Sequence, residues 1–482
     1  MSLKNIFKNV DNNNDLPDLD ISGINIDSSK IKPGDLFIAI SGSNYDGHDF
    51  IPEAIKNGAK ALITNGRDYG NLPIPQLKVE NPRKAASKIA SNFYKHPSSH
   101  LKIIGVTGTN GKTTVSSILS EIIKSAGFNV AQIGTLGLKS KSINYPKTLT
   151  TPDSITLQET LFKLKKNKFS HVVMEVSSHG LNQYRVNDID FDYAVFTNLT
   201  PDHLDYHKDM EGYFDAKAIL FRKLKNQAIA IVNGDSPYGE RLKLETKCPI
   251  YFFSMKNKNQ IHYKKLEMNI DGINGKIRID DTEYKVESKL IGEFNAENIL
   301  TALVSAHSIG INKKFIEDGI KMCSVIPGRM EIIEQSNGSK VIIDYAHTPD
   351  AYQKVLSTIK SLTQKQSKIF LVFGAGGDRD KTKRSKMGQI AEIYSDHCFI
   401  TPDNPRNENP QEIANNIIKG FKGKNFSIYN NREDGLRAAL NKSDFNDIVV
   451  VFGKGREDYQ EISGGKIFHS DMDIIKENVF IK

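Results

Sequence analysis

Cysteine is scarce in this 482-residue chain: Cys248, Cys323 and Cys398 are scattered, odd in number and form no C-x-x-C pair. That argues against a disulfide framework and against a cysteine-built zinc site, and the three thiols read as reduced and structural. No apolar run approaches the roughly 20 residues needed to span a bilayer, and MSLKNIFKNV lacks the apolar centre of a signal peptide. A cytoplasmic protein without a membrane partner is expected. A long basic block is missing too, as is any platform of interleaved aromatic and basic residues. The formal charge of +8 comes from 65 basic residues interleaved with 57 acidic ones, which gives no support to a nucleic-acid partner and suits a small polyanionic substrate. No internal repeat or extended disordered tract is visible, and a monomer is the expected state.

What is present is an alternation of apolar strand-like runs with helical segments. Hydrophobic content of 38% and charged content of 25% describe a globular protein too long for one core. Three blocks emerge: residues 1–99, with short strands and a helix; 100–326, with HVVMEV, YAVFTNL and AIAIVNGD; and 327–482, with VIID, KIFLVFG, HCFIT and DIVVVFG. The expected fold class is α/β in three domains. These are a small N-terminal α/β domain, a central parallel sheet of the P-loop ATPase type and a C-terminal Rossmann-like domain. KIRIDDTEYKVE at 276–287 alternates with period two and reads as a hairpin insertion.

The most informative stretch is GVTGTNGKTT at 105–114. Apolar residues 101–104 suit a buried strand, Val115, Ile118, Leu119, Ile122 and Ile123 recur at helical spacing, and Gly127 is placed to end that helix. A strand, a glycine-bearing turn and a helix N-terminus make an anion site, because free N–H groups and the helix dipole converge there. Lys112 adds a mobile cation and Thr113 a hydroxyl suited to Mg²⁺, so a nucleotide triphosphate with magnesium is the expected ligand. Val106 stands where the usual P-loop has glycine, and Gly108 lies inside the loop instead.

Other polar clusters follow apolar strands. Glu175 ends one such strand, where a Mg²⁺-nucleotide site needs a metal ligand or a water-orienting group, and Ser177-Ser178-His179-Gly180 makes a tight polar turn beyond it. TNLTPDHLDYH at 197–207 concentrates Asp202, His203, Asp205 and His207, of which His203 could bind magnesium or a phosphate oxygen. Lys217 sits on a helical segment among apolar neighbours, and its spacing alone reveals no special role. In the third block, FGAGGDRDKTKR and TPDNPRNENP carry arginines suited to carboxylates, and GKGRED supplies Glu457, which could pair with an amine. Three such loops together suggest a site for a zwitterionic small molecule. Asn441-Lys442-Ser443-Asp444 spells the guanine-reading N-K-x-D, but it follows a helical segment in a different block and reads as a turn, which favours ATP.

Taken in order between about residues 20 and 465, the motifs GTNGKTT, LTTPDS, MEVSSHGL, TNLTPDHLDYH, GEFNAENILTA, PGRMEII, DYAHTP, GGDRDKTKR, DNPR and GKGRED resemble the Mur ligase family. That family builds the peptidoglycan precursor by ATP-driven amide formation. The resemblance is closest to members that add meso-2,6-diaminopimelate to a UDP-N-acetylmuramoyl-L-alanyl-D-glutamate acceptor. It implies three small-molecule partners (ATP, the UDP-muramoyl dipeptide and diaminopimelate), with Mg²⁺ as cofactor and CO₂ for a lysine carbamate. Residues 1–99 would bind the uridine nucleotide, 100–326 ATP and 327–482 the amino acid.

Carried over residue by residue, the resemblance implies that Ser28, Ser43, Asn44 and Tyr45 hold the uridine end. Thr150, Thr151, Ser177, Gln183 and Arg185 would hold the muramoyl dipeptide. Gly108, Thr109, Asn110, Gly111, Lys112, Thr113 and Thr114, with Asn295, Asn298, Arg329 and Asp344, would contact ATP. Thr113, Glu175 and His203 would serve the magnesium ions, joined by Lys217 as its N6-carboxy form, and Lys112, Lys217, His203 and Glu175 would carry the catalysis. Arg379, Asp403, Asn404, Pro405, Arg406, Gly453 and Glu457 would bind diaminopimelate. Arg406 of DNPR can clamp the far carboxylate, which lysine lacks; an unpaired guanidinium would then discriminate by about 10⁴. Three positions depart from the family pattern: Arg456 replaces a usual histidine, Ser29 a common arginine, and 43–45 is a variable stretch. The rival readings are a lysine-adding member, a folylpolyglutamate synthetase-like ligase and, from another class, a P-loop switch that hydrolyses ATP without forming an amide.

Overall fold

β-branched and aromatic runs bounded by glycine and polar turns form strands here, and amphipathic runs between them form the covering helices. The computed structural model describes residues 1–10, 16–42, 45–67, 69–144, 149–269, 272–363 and 366–480. Each block contributes its own mainly parallel sheet, so the α/β expectation matches the architecture. In the first, Ile24–Asn25, Leu36–Ile38, Ala61–Thr64 and Gln76–Lys78 pair in chain order, all parallel. Helix Pro82–Phe93, capped by the Asn81 side chain, buries Ala85, Ala86, Ile89 and Ala90 on this sheet and leads toward the second block.

The central sheet has seven strands in the order Ile250–Phe253, Ile229–Asn233, Tyr193–Phe196, Lys102–Thr107, His171–Glu175, Val130–Gly134 and Gly137–Lys139. Only the last pairs antiparallel. Strand Lys102–Thr107 lies mid-sheet between His171–Glu175 and Tyr193–Phe196, so the loops after all three open at one carboxyl edge. Helix Lys112–Ser125 buries Val115, Ile118, Leu119, Ile122 and Ile123 against helices Glu293–Ile309 and Lys313–Met322. Gly127, at φ +84°, follows the cap residue Ala126, as its placement after the periodic run implies. The expected hairpin at 276–287 is part of a larger unit, a three-stranded antiparallel sheet of Tyr263–Asn269, Gly272–Ile279 and Thr282–Ser288.

The third sheet runs Glu331–Glu334, Lys340–Asp344, Ile448–Phe452, Ile369–Phe373, His397–Ile400 and Phe426–Ile428, antiparallel only at the first pair. Its carboxyl edge carries the three arginine- and glutamate-bearing loops. A two-stranded hairpin, Tyr459–Ile462 with Gly465–Phe468, extends from the last of them. Asn441–Asp444 spans the end of helix Arg432–Lys442 and the turn before Ile448, well outside the sheet that bears the phosphate loop. No helix among the described residues is long and apolar enough to cross a membrane.

Candidate active site

The phosphate loop is shaped by two glycines. Gly108 has φ +148°, and a Cβ there would fall 1.9 Å from Thr197 Oγ1; Gly111 has φ +85°, with Asn298 Oδ1 2.4 Å from its Cβ position. Val106 is fully buried within the strand, so the departure from the P-loop pattern lies in the strand and leaves the turn intact. Two loop amides are already committed: Thr109 N donates to Asn198 O and Asn110 N to Asn198 Oδ1, both at 2.9 Å. The amides that open the helix, at 111–114, have no intrahelical acceptor and are the loop donors open to an anion. Lys112 Nζ folds back onto Gly108 O (2.9 Å) and Thr109 O (2.8 Å), and burial lowers its ammonium pKa.

Glu175 is fully buried at its strand end. Its carboxylate accepts from Thr113 Oγ1, Thr135 N and Thr135 Oγ1, each at 3.0 Å, so the charge is met by donors rather than left orphaned. Next to it Thr135 Oγ1 and Thr150 Oγ1 are 3.1 Å apart, and Thr151 Oγ1 bonds Glu175 O at 3.0 Å. Ser177 Oγ caps the short helix Ser178–Asn182, and Arg185 donates to Thr151 O (2.7 Å) and Gln183 Oε1 (2.6 Å).

Lys217 lies beneath the loop, only 1% exposed, donating to Gly108 O at 2.9 Å with Nζ 4.6 Å from the Tyr213 ring centre. Burial first, and then Lys112, push its ammonium well below the lysine range. His203, in left-handed conformation at φ 55°, faces Asp202 (Nε2 to Oδ2, 3.5 Å) and packs edge-on against His179. Desolvation keeps its imidazole neutral near pH 7, Asp202 opposing in part. His347 of the third block approaches the same Asp202 at 3.9 Å. The sequence places Asp202 in the polar turn at 197–207 and His347 in DYAHTP without pairing them; the packing of two blocks brings them together.

That packing makes one cleft of about 790 Å³, lined from the central block by residues 109–114, Glu175, Ser177, Arg185, His203, Asn295 and Asn298, and from the third by Arg329, Asp344, Arg379, Asn404, Arg406 and Glu457. Arg329 Nη2 reaches Thr113 Oγ1 at 3.4 Å, and Asn110 Nδ2 reaches Asp350 at 3.2 Å, so the third block already touches the loop. Asp344 is buried and accepts from Met330 N and Ala346 N, both at 2.8 Å. Asn295 and Asn298 sit on one helix, Asn298 Nδ2 donating to Asn295 Oδ1 at 3.3 Å.

The amino-acid end shows a pairing that the DNPR motif alone does not reveal. Arg406 does not await a carboxylate unpaired: its Nε lies 2.8 Å from Glu461 Oε2 and its Nη1 donates to Gly377 O at 2.7 Å. Glu461, on strand Tyr459–Ile462, also lines the cleft and was not foreseen, although its alternation with Tyr459 put both on one face. Glu457 accepts from Lys454 Nζ (3.0 Å), Asn404 Nδ2 (3.3 Å) and Tyr345 OH (3.1 Å). Asp403, Pro405 and Gly453 stand behind this layer and do not line the cleft; Asp403 Oδ2 would lie 2.8 Å from a Cβ at Gly453. Arg456 pairs with buried Glu331 (Nε to Oε2, 2.8 Å), whose Oε2 also accepts Gly328 N at 2.9 Å.

Ser28 does not line the cleft; its Oγ donates to Glu53 at 2.5 Å, and Tyr45 is 76% exposed. Ser43 and Asn44 lie outside the described residues. No cluster of three or more His, Cys, Asp or Glu with metal-binding geometry occurs among the described residues.

Comparison with known proteins follows the same three-part order. Residues 106–306 match the Mur ligase middle domain, 328–455 the Mur ligase glutamate ligase domain, and 20–94 the catalytic domain of the Mur ligase family. The UDP-N-acetylmuramoyl-L-alanyl-D-glutamate–2,6-diaminopimelate ligase of Caldanaerobacter subterraneus subsp. tengcongensis is 40% identical over 96% of this chain and 95% of its own. A solved structure of a ligase of that name is 30% identical with TM-score 0.69, over 99% of this chain and 98% of its own. The Mycobacterium tuberculosis folylpolyglutamate synthase, solved with ADP and AMPPCP, has TM-score 0.65 at 17% identity over 77% of this chain and 92% of its own, a likeness of fold alone. All three Mur domains matched in order, and a relative 40% identical along nearly the whole chain, establish that this protein belongs to the Mur ligase family.

Proposed function

We propose that this chain joins meso-2,6-diaminopimelate to UDP-N-acetylmuramoyl-L-alanyl-D-glutamate, forming an amide as ATP becomes ADP and phosphate. The observation that carries the proposal is the shared cleft: the phosphate loop on one wall, Arg379, Asn404, Arg406 and Glu457 on the other. A pure ATPase switch has no use for that second wall.

In this reading the D-glutamyl γ-carboxylate attacks the γ-phosphorus, expelling ADP and leaving an acyl phosphate. A neutral amine of diaminopimelate then attacks the acyl carbon, and the tetrahedral species collapses with loss of phosphate. The amides at 111–114 stabilise charge on the moving phosphoryl group, and Lys112 exchanges its two carbonyl partners for phosphate oxygens. Asn295, Asn298, Arg329 and Asp344 hold the nucleotide. Thr150, Thr151, Ser177, Gln183 and Arg185 orient the muramoyl dipeptide, whose uridine end reaches Ser28 and residues 43–45 of the first block. Closure of the third domain aligns the reactants and excludes water.

The donors around the loop suit magnesium: a hydroxyl (Thr113) and a carboxylate (Glu175) 3.0 Å apart, with the neutral imidazole of His203 nearby. Thr113, Glu175 and His203 would hold the ion, which would supply offsetting charge to the phosphate oxygens. Lys217 is buried beneath the loop with its ammonium held well below the lysine range by burial and then by Lys112, which favours the free amine that reacts with CO₂, and its carbamate would add an anionic donor there. We place the enzyme in the cytoplasm as a monomer.

The test supplies the UDP-muramoyl dipeptide, ATP and Mg²⁺ with either diaminopimelate or L-lysine, and reads product mass. Diaminopimelate incorporation is expected; equal or better use of lysine, or ATP hydrolysis independent of the dipeptide, refutes the assignment. Arg406→Ala should raise KM for diaminopimelate far more than KM for ATP, and an unchanged diaminopimelate KM would count against this role.

A further inference from the structure

Arg406 and Glu461 form an ion pair at 2.8 Å inside the cleft. The pair is held from several sides. Arg406 N donates to Glu461 O at 2.9 Å, Glu461 N donates to Asn404 Oδ1 at 2.8 Å, and Arg406 keeps a left-handed backbone at φ 52°. Glu461 is half-buried, its side chain 29% exposed, and its other carboxylate oxygen faces Lys466 of the hairpin's second strand at 3.9 Å. Glu457, by contrast, is held by Lys454, Asn404 and Tyr345 together. Glu461 is therefore the carboxylate of this wall better placed to accept a new cation.

We propose that Glu461 is a specificity-determining residue: it serves as the resting counter-ion of Arg406 and, when the amino acid binds, as the acceptor for the far ammonium. This rests on the ligase reading above. The far carbon of diaminopimelate carries a carboxylate and an ammonium side by side, and the Arg406–Glu461 pair presents the two complementary charges side by side. A guanidinium has five N–H donors, so Arg406 takes the substrate carboxylate without surrendering Gly377 O. The same residue weakens rejection of lysine. Lysine brings no far carboxylate, yet Arg406 is not stranded, because Glu461 still neutralises it while accepting the lysine ammonium. A rejection of about 10⁴ requires an unpaired buried group, and Glu461 removes that condition.

Three amino acids separate the roles: diaminopimelate (far carboxylate and ammonium), 2-aminopimelate (far carboxylate only) and L-lysine (far ammonium only). In E461Q the guanidinium is freed and the ammonium acceptor lost. Relative to the native enzyme, kcat/KM for 2-aminopimelate should rise about fivefold and that for lysine fall about fivefold, the scale of a partly exposed ion pair. E461A should move both in the same directions, and melting temperatures control for folding. Loss by equal factors with both analogues, or no change with either, overturns the inference while leaving the ligase assignment standing. Failure of the native enzyme to form product with any of the three overturns the ligase assignment, and this inference with it.

Discussion

The pair formed by Arg456 and Glu331 gives the most exacting test of the fold's energetics, because it ties the loop after strand Ile448–Phe452 to a buried carboxylate on strand Glu331–Glu334. Glu331 is buried, its side chain 8% exposed, while Arg456 is 35% exposed. Removing one partner of a fully buried pair costs about 3–5 kcal/mol. Partial hydration of Arg456, and the second donor Gly328 N on Glu331, reduce this to about 1–2 kcal/mol. The cost should fall on the turn from Ile326 to Glu331, since Gly328 bonds both ways: its N–H to Glu331 and its carbonyl from Tyr345 N at 3.0 Å. Native-state hydrogen exchange of peptides spanning 326–346 reads that local opening directly. Arg456→Met and Glu331→Gln should each speed exchange there by roughly 5- to 30-fold, the equivalent of about 1–2 kcal/mol. The double variant should add little to either single change. KM for ATP should rise in step, because Arg329 within this turn lies over the Tyr345 ring and reaches Thr113. Unchanged exchange, or strictly additive effects, would refute the clamp.

Other predictions follow from single distances and burial. Gly108→Ala places a Cβ 1.9 Å from Thr197 Oγ1, whose hydroxyl holds Asn110 O at 2.6 Å, so about 2–4 kcal/mol of loop distortion should abolish tight ADP binding by calorimetry; retained affinity would show the loop is softer than its geometry implies. Lys217→Met removes a buried ammonium, while Gly108 O keeps Lys112 as donor. Its melting temperature should hold or rise as amide formation falls by roughly 10² or more, and full activity would exclude a catalytic role. His171 is desolvated, with Lys102 adding to the effect, so its pKa drops from 6.5 to about 4. The unfolded chain therefore binds the extra proton between these values, and stability should fall as pH drops from about 6.5 to about 4. His171→Phe should flatten that part of the melting-temperature profile; an unaltered slope would assign the acid sensitivity elsewhere.

Much of the site was legible in sequence because its chemistry is local. The phosphate loop joins a strand, two glycines in conformations that other residues resist, and a helix start, all within ten consecutive residues. Glu175 and the three arginine- and glutamate-bearing loops were found in the same way, each by its place after an apolar run. The third strand beside 276–287 was missed because Tyr263–Asn269 is largely exposed and shows no clear alternation.

The sequence by itself determined the strand-loop-helix units, the α/β class and the residue types offered at each strand end, because hydrophobic period and glycine placement act over a few residues. Tertiary structure alone decided which of those ends meet. It set His347 near Asp202, buried Lys217 under Gly108 O, gave Arg456 a carboxylate on strand Glu331–Glu334, and gave Arg406 a counter-ion more than 50 residues away. Charge pairing depends on distance in space, and no local pattern encodes which side chains the packing of two sheets will bring within 4 Å.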